Sequence, residues 1–128
     1  MANLDQNNWF TEISDRDGSA FSLRITKKLD EQQSPFQKVE MYETTDFGNL
    51  MIIDGCTMVS SRENFFYHEM ISHPALLAHP NPKNVVIIGG GDCGTLREVL
   101  KHPGVESVTQ IDIDEVVTQM SLKYFPEL

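Results

Sequence analysis

One stretch limits the possible folds more than any other: from Lys83 the run Val85-Val86-Ile87-Ile88 leads straight into Gly89-Gly90-Gly91-Asp92-Cys93-Gly94. A short β-branched run bounded by glycines predicts a buried strand, and Thr95 to Lys101 carries a helical pattern. The order is strand, glycine loop, helix. About twenty residues after the loop, a second strand predicted over Val108 to Ile113 brings the acidic pair Asp112 and Asp114. This is half of a nucleotide-binding βαβ unit. Glycines let the backbone turn sharply and let a ligand approach without meeting a Cβ, and the helix start presents unpaired N–H groups. A carboxylate at the tip of the next strand can accept both hydroxyls of a ribose. The plainer alternative is a glycine turn in an ordinary α/β domain.

Composition narrows the partners. Lys and Arg number 10 against 19 Asp and Glu, a net charge of −9, which argues against nucleic acid or an anionic membrane and suits a cationic substrate. No apolar run approaches the roughly 18 residues of a membrane helix, and Met1 to Phe10 has no signal-peptide pattern. Cys56 and Cys93 make no metal or disulfide framework, so a reducing cytoplasm is the expected setting.

Ahead of the glycine loop the chain reads as short strands: Trp9 to Ser14, a turn at Asp15 to Ser19, Ala20 to Leu29, Gln37 to Thr44, Leu50 to Ile53 and Cys56 to Val59. Polar Asp30 to Pro35 is expected to end the segment Ala20 to Leu29, and Asp54-Gly55 is a strong two-residue hairpin signal. Ser60 with Glu63 fits a capping box for a helix over Phe65 to Ala78, bent or interrupted at Pro74, with Phe66, Met70, Ile71 and Leu77 toward the core. His79-Pro80-Asn81-Pro82 is a rigid linker. Asp114 to Tyr124 reads as a last helix.

The expected organisation is an N-terminal β-domain over 1–60, a helix and linker over 61–82, and the start of a nucleoside-binding domain over 83–128. The fold class is α/β: an antiparallel β-domain followed by the first half of a Rossmann-like doubly wound sheet. Parallel strands are normally covered on both faces, so the chain is expected to be the N-terminal part of a longer protein. Two motifs are decoys. His68-Glu69 with His73 is one residue too long for a zinc-protease pair, since five helical residues turn about 140°. Asp46-Phe47-Gly48 spells a kinase motif without its companions and reads as a turn. No metal is expected. Cys93 has no visible activating partner and reads as a packed bystander.

Several blocks with their spacing resemble the spermidine synthase family of aminopropyltransferases: Phe47-Gly48, Asp54-Gly55, Tyr67-His68-Glu69-Met70, Leu76 to Pro82, Val85 to Asp92, Leu96 to His102, Val105-Glu106 and Ile113-Asp114. That family carries a β-domain ahead of a methyltransferase-like Rossmann domain. The resemblance implies transfer of an aminopropyl group from decarboxylated S-adenosylmethionine to an amine, usually putrescine, with no further cofactor. It also implies a homodimer or homotetramer. Carried onto this chain, it assigns Asp112, where the family usually has Glu, to the ribose hydroxyls. Asp92 and His68 are assigned to the donor's amine, Gln37 to the donor pocket, Tyr67 to the reacting amine, and Gly89, Gly90 and Gly91 to the loop. Met58 and Glu63-Asn64 depart from the family pattern and leave the acceptor open. Cys93 stands where a small residue is usual and is expected to be strained if its φ is positive.

Two alternatives remain at the level of sequence. A small-molecule methyltransferase has no need of Asp92 beside Tyr67-His68-Glu69-Met70, and a non-catalytic nucleoside-binding homologue has no need to keep them. The resemblance places the family's catalytic aspartate after Leu128. The 128-residue chain alone is therefore expected to show no aminopropyl transfer, and turnover by homogeneous material in a radiolabelled-donor assay would overturn that expectation.

Overall fold

The computed structural model describes residues 4, 5 and 7–128, and the chain divides into two compact units, Met1–Arg62 and Glu63–Leu128. The first is an antiparallel meander of β1 (Trp9–Ser14), β2 (Ser19–Gln33), β3 (Lys38–Thr44), β4 (Asn49–Ile53) and β5 (Cys56–Ser60), paired in that order. Leu23, Leu50 and Ile52 form its buried cluster, flanked by Phe10, Tyr42 and Phe47. The β4–β5 turn is the predicted Asp-Gly hairpin. Asp54 and Gly55 have φ of 48° and 82°, the pair of positive values that a type I′ turn requires.

Residues 30–33 depart from the sequence reading. β2 continues through Gln33 instead of ending before Asp30, pairing Asp30 with Met41 and Gln33 with Lys38 after two register shifts. The ladder is made by main-chain groups, so polar side chains do not stop it when they point to water. Lys28 reaches Glu40 at 2.6 Å and also bonds Glu31, while Lys38 sits 3.1 Å from Glu40. Asp46-Phe47-Gly48 is the β3–β4 turn, held by Gly48 O accepting from Thr44 N and Oγ1 at 2.9 and 2.7 Å.

The second unit contains α1 (Asn64–Ala78), β6 (Asn84–Ile88), α2 (Gly94–Val99), β7 (Ser107–Ile111) and α3 (Glu115–Tyr124). β6 and β7 are parallel and in register, Val85 opposite Val108 and Ile88 opposite Ile111. Leu76, Ile87 and Val99 pack together on one face with Val85, Leu96, Val105 and Val108 around them. Burying each such side chain stabilises by about 1.5–3 kcal/mol. The opposite face, with Val86, Ile88 and Ile111, is exposed. The order of elements is the expected antiparallel β-domain followed by a Rossmann-like start.

α1 corrects two expectations. Ser60 does not cap it, because Ser60 pairs with Leu50 as the last residue of β5, and Glu63 at the N-cap makes no side-chain cap bond. The helix passes through Pro74 without interruption. Its buried residues are Asn64, His68, Ser72 and Leu76, whereas Phe66, Met70, Ile71 and Leu77 are exposed. The reason is specific pairing. A line at i, i+4, i+8, i+12 turns inward because Asn64 and His68 find partners in α2 and the glycine loop, and the small Ser72, bonded to His68 O in its own helix, permits close approach. Hydrophobicity alone selects the other face. No helix among the described residues is long and apolar enough to cross a membrane.

Candidate functional site

The site grows from the glycine loop at the end of β6. Gly89 N–H donates to Ile111 O at 2.7 Å, tying the loop to β7, and Gly89 and Gly90 then take φ of 79° and 71°. A side chain in that left-handed region costs about 1–2 kcal/mol, so two consecutive glycines are the cheap solution. Gly91 is needed for space. A Cβ there would lie 2.9 Å from Asp112 Oδ2, which accepts the Gly91 N–H at 2.8 Å.

Asp112 stands immediately beyond β7, and its other oxygen accepts the Asp114 N–H at 2.9 Å. Both oxygens are thus oriented by backbone, and the half-buried carboxylate keeps lone pairs for a ligand. Asp114, expected as the first helical residue, is instead the N-cap of α3 and accepts from Val116 N at 3.0 Å.

Asp92 is held on two sides. Its Oδ1 accepts the Gly94 N–H at 3.0 Å and its Oδ2 lies 2.9 Å from His68 Nε2. A carboxylate only accepts, so Nε2 carries the proton, and His68 Nδ1, buried without a hydrogen-bond partner, is the free nitrogen. Burial alone would push the Asp92 carboxyl up; the bonds from His68 and the Gly94 N–H, with the nearby Arg97 charge, outweigh it and hold Asp92 below its ordinary value. The carboxylate is therefore ionised at neutral pH.

His68 is 1% exposed. Its ring is enclosed, with Nε2 on the Asp92 carboxylate. Gly94 makes room for it: a Cβ on Gly94 would fall 2.0 to 2.4 Å from three ring atoms. That requirement was not visible in the sequence, where Gly94 read only as the end of the loop. Cys93 does have positive φ, 67°, at the N-cap of α2, so it carries the strain expected of a side chain there. Its thiol meets only weak partners, Gly91 O at 3.7 Å and Gln110 Nε2 at 3.8 Å.

The structure brings together Gly89, Gly90, Gly91, Asp92, Asp112 and His68. Tyr67 neighbours them on α1, with its ring 5.5 Å from that of His68 and its side chain exposed. Gln37 belongs to the first unit, in the β2–β3 turn, where its N–H donates to Ser34 Oγ and its carbonyl accepts the Ser34 N–H.

A second polar cluster was missed. Donor atoms of Glu69, His73 and Glu98 lie within 4.8 Å of one another, a spacing open to a metal ion. Glu98, however, is already paired with Arg97 at 2.8 Å and Lys101 at 2.5 Å, and the cluster reads as a charge-balanced ion-pair network. Two Glu-x-x-x-His spacings, Glu69 with His73 and Glu98 with His102, were its signal in the sequence.

A family model described as "Spermine/spermidine synthase domain" matches residues 64–128, and one described as "Spermidine synthase tetramerisation domain" matches residues 8–60. A protein named polyamine aminopropyltransferase from Xanthomonas euvesicatoria pv. vesicatoria (strain 85-10) is 73% identical over 121 residues, 94% of this chain and 42% of that protein. One of the same name from Stenotrophomonas maltophilia (strain K279a) is 70% identical over 97% of this chain and 44% of its own length. The chain thus spans less than half the length of these relatives. Among solved structures, spermidine synthase from Thermotoga maritima superposes with a TM-score of 0.89 at 36% identity, over 99% of this chain and 45% of that one. A spermidine synthase in complex with the transition state analogue AdoDATO matches with the same score and identity, over 44% of its chain.

Gly94→Ala tests the local geometry. It should displace the His68 ring, destabilise the protein by about 2 kcal/mol through overpacking and abolish the His68–Asp92 hydrogen bond; a denaturation midpoint and the imidazole N–H resonances read both.

Proposed function

The chain belongs to the spermine/spermidine synthase family, and from that premise we propose that the complete protein transfers the aminopropyl group of decarboxylated S-adenosylmethionine to putrescine or a similar amine. The products are spermidine, for putrescine, and methylthioadenosine. This chain supplies the donor half of the site. The observation that carries the reading is the fixed, ionised carboxylate of Asp92 at the rim of a nucleotide-type glycine loop, with Asp112 across Gly91.

The roles follow from charge and position. Asp112 takes the ribose hydroxyls with the lone pairs its backbone bonds leave. Gly89, Gly90 and Gly91 let the nucleoside approach the main chain. Asp92 binds the donor's ammonium and excludes ordinary S-adenosylmethionine, whose carboxylate would meet it as a like charge. His68 positions Asp92. Gln37 is assigned to the donor pocket and Tyr67 to the reacting amine.

In the transfer, the neutral amine of the acceptor attacks the carbon bonded to the sulfonium. A C–N bond forms, the C–S bond breaks, and its electron pair returns to sulfur as a neutral thioether. The new ammonium gives a proton to a base. A phenol is a poor base at neutral pH, so the part of Tyr67 is orientation and an acidic partner completes the step. No further cofactor enters this chemistry.

A homodimer or homotetramer is part of the reading. It is supported by the tetramerisation-domain match and by the outer strands β1 and β5, each with one paired edge. A cytoplasmic setting is supported by two free cysteines, Cys56 and Cys93.

Calorimetry on the complete protein tests the donor assignment. Decarboxylated S-adenosylmethionine should bind well above S-adenosylmethionine, and Asp92→Asn should narrow that preference; equal or better binding of S-adenosylmethionine by the unmodified protein would favour a methyltransferase. Asp112→Ala should raise the donor's apparent KM by about tenfold or more, the loss expected for charge-assisted hydrogen bonds. An unchanged KM would remove Asp112 from the site.

A further inference from the structure

α1 and α2 meet across a seam that is unusually polar for two packed helices. Arg97 Nη2 donates to Asn64 Oδ1 at 2.9 Å, and Arg97 Nε to Glu98 Oε1 at 2.8 Å. Glu98 Oε2 lies 3.2 Å from His73 Nε2 and 2.5 Å from Lys101 Nζ, and His73 Nδ1 lies 2.9 Å from His102 Nε2. Glu98 itself is 0% exposed. Burial would push its carboxyl up, but Lys101 and Arg97 outweigh burial and hold it low, so it remains an anion inside the seam.

The placement matters more than the count. His68 lies between the two bridges on α1, one turn after Asn64 and about a turn and a half before His73. On α2 both bridges end at the adjacent Arg97 and Glu98, one turn after Gly94. Gly94 is the residue His68 packs on, and its N–H holds Asp92. Bridges on either side of a contact set the helix spacing at that contact. Apolar packing alone would let the helices slide, because dispersion is not directional, whereas a guanidinium that donates both to Glu98 and to Asn64 across the seam fixes their relative position.

We propose that Glu98, bridged to Asn64 through Arg97 and facing His73 at 3.2 Å, is a positioning residue for the donor site: it sets the α1–α2 spacing and thereby the His68–Asp92 hydrogen bond. The consequence for the reaction rests on the reading of Asp92 as the acceptor for the donor's ammonium. That contact lies away from the breaking C–S bond and is made equally in the ground and transition states. Loosening it therefore raises KM and leaves kcat nearly unchanged.

The experiment uses the complete protein with two readouts. One is the NMR signal of the His68 Nε2–H, identified by its disappearance in Asp92→Asn. The other is steady-state kinetics with decarboxylated S-adenosylmethionine. His73→Leu should shift or broaden the His68 signal and raise the donor KM about tenfold, the scale of a sub-ångström misplacement, with kcat within about twofold. His73→Gln, whose amide can place an N–H toward Glu98, should restore both. His102→Asn removes only the outermost bond and should move both in the same direction by less; it serves if His73→Leu fails to fold. A folded variant with the His68 signal and KM both unchanged overturns the proposal, as does a fall in kcat at constant KM. A moved signal with unchanged KM supports the positioning role and counts against Asp92 as the donor's partner.

Discussion

The second unit is arranged around one hydrogen bond, between the enclosed imidazole of His68 and the carboxylate of Asp92. A histidine 1% exposed is costly unless its polar atoms are used and its ring is closely packed. Using Nε2 requires Asp92 at the end of the glycine loop, and packing the ring requires a residue without Cβ at 94. Those demands choose the buried face of α1, since Asn64, Ser72 and Leu76 lie on the same line as His68. They also leave Phe66, Met70 and Leu77 outside. A more apolar helix face loses to a less apolar one because only the latter completes the polar contacts.

The same loop explains the electrostatics of the candidate site. Asp92 and Asp112 flank Gly91, each oriented by backbone N–H groups rather than by neighbouring cations alone. Backbone donors align a carboxylate without cancelling its charge. Such an arrangement suits a donor carrying a sulfonium and an ammonium. Glu98 shows the contrasting case, a buried carboxylate whose charge is balanced by Arg97 and Lys101 and whose work is structural. Carboxylates of one unit thus serve opposite ends according to whether their partners are backbone dipoles or mobile cations.

Much of this was legible in advance because it depends on backbone chemistry. The Asp54-Gly55 hairpin, the glycines of the loop and the strain at Cys93 all follow from which residues tolerate positive φ, a property of the residue itself. β1, β3 and β4 were readable from local pattern to within a residue or so. The extension of β2 to Gln33 was not, because its polar half is held by main-chain pairing with β3 and by ion pairs between distant positions. Nor was the capping of α1, where Ser60 had two possible roles and pairing with Leu50 decided between them.

By itself, the sequence determined the order of elements, the nucleotide-type loop, the family and the candidate site residues. These are written in local spacing and in the conformational freedom of single residues. Only the tertiary structure decided that His68 hydrogen-bonds Asp92, that Gly94 leaves room for its ring, and that Arg97 joins Glu98 on α2 to Asn64 on α1. The physical reason is that each of these is a contact between residues 24 or more positions apart, or a space left by an absent Cβ. No local pattern records the distance between two helices.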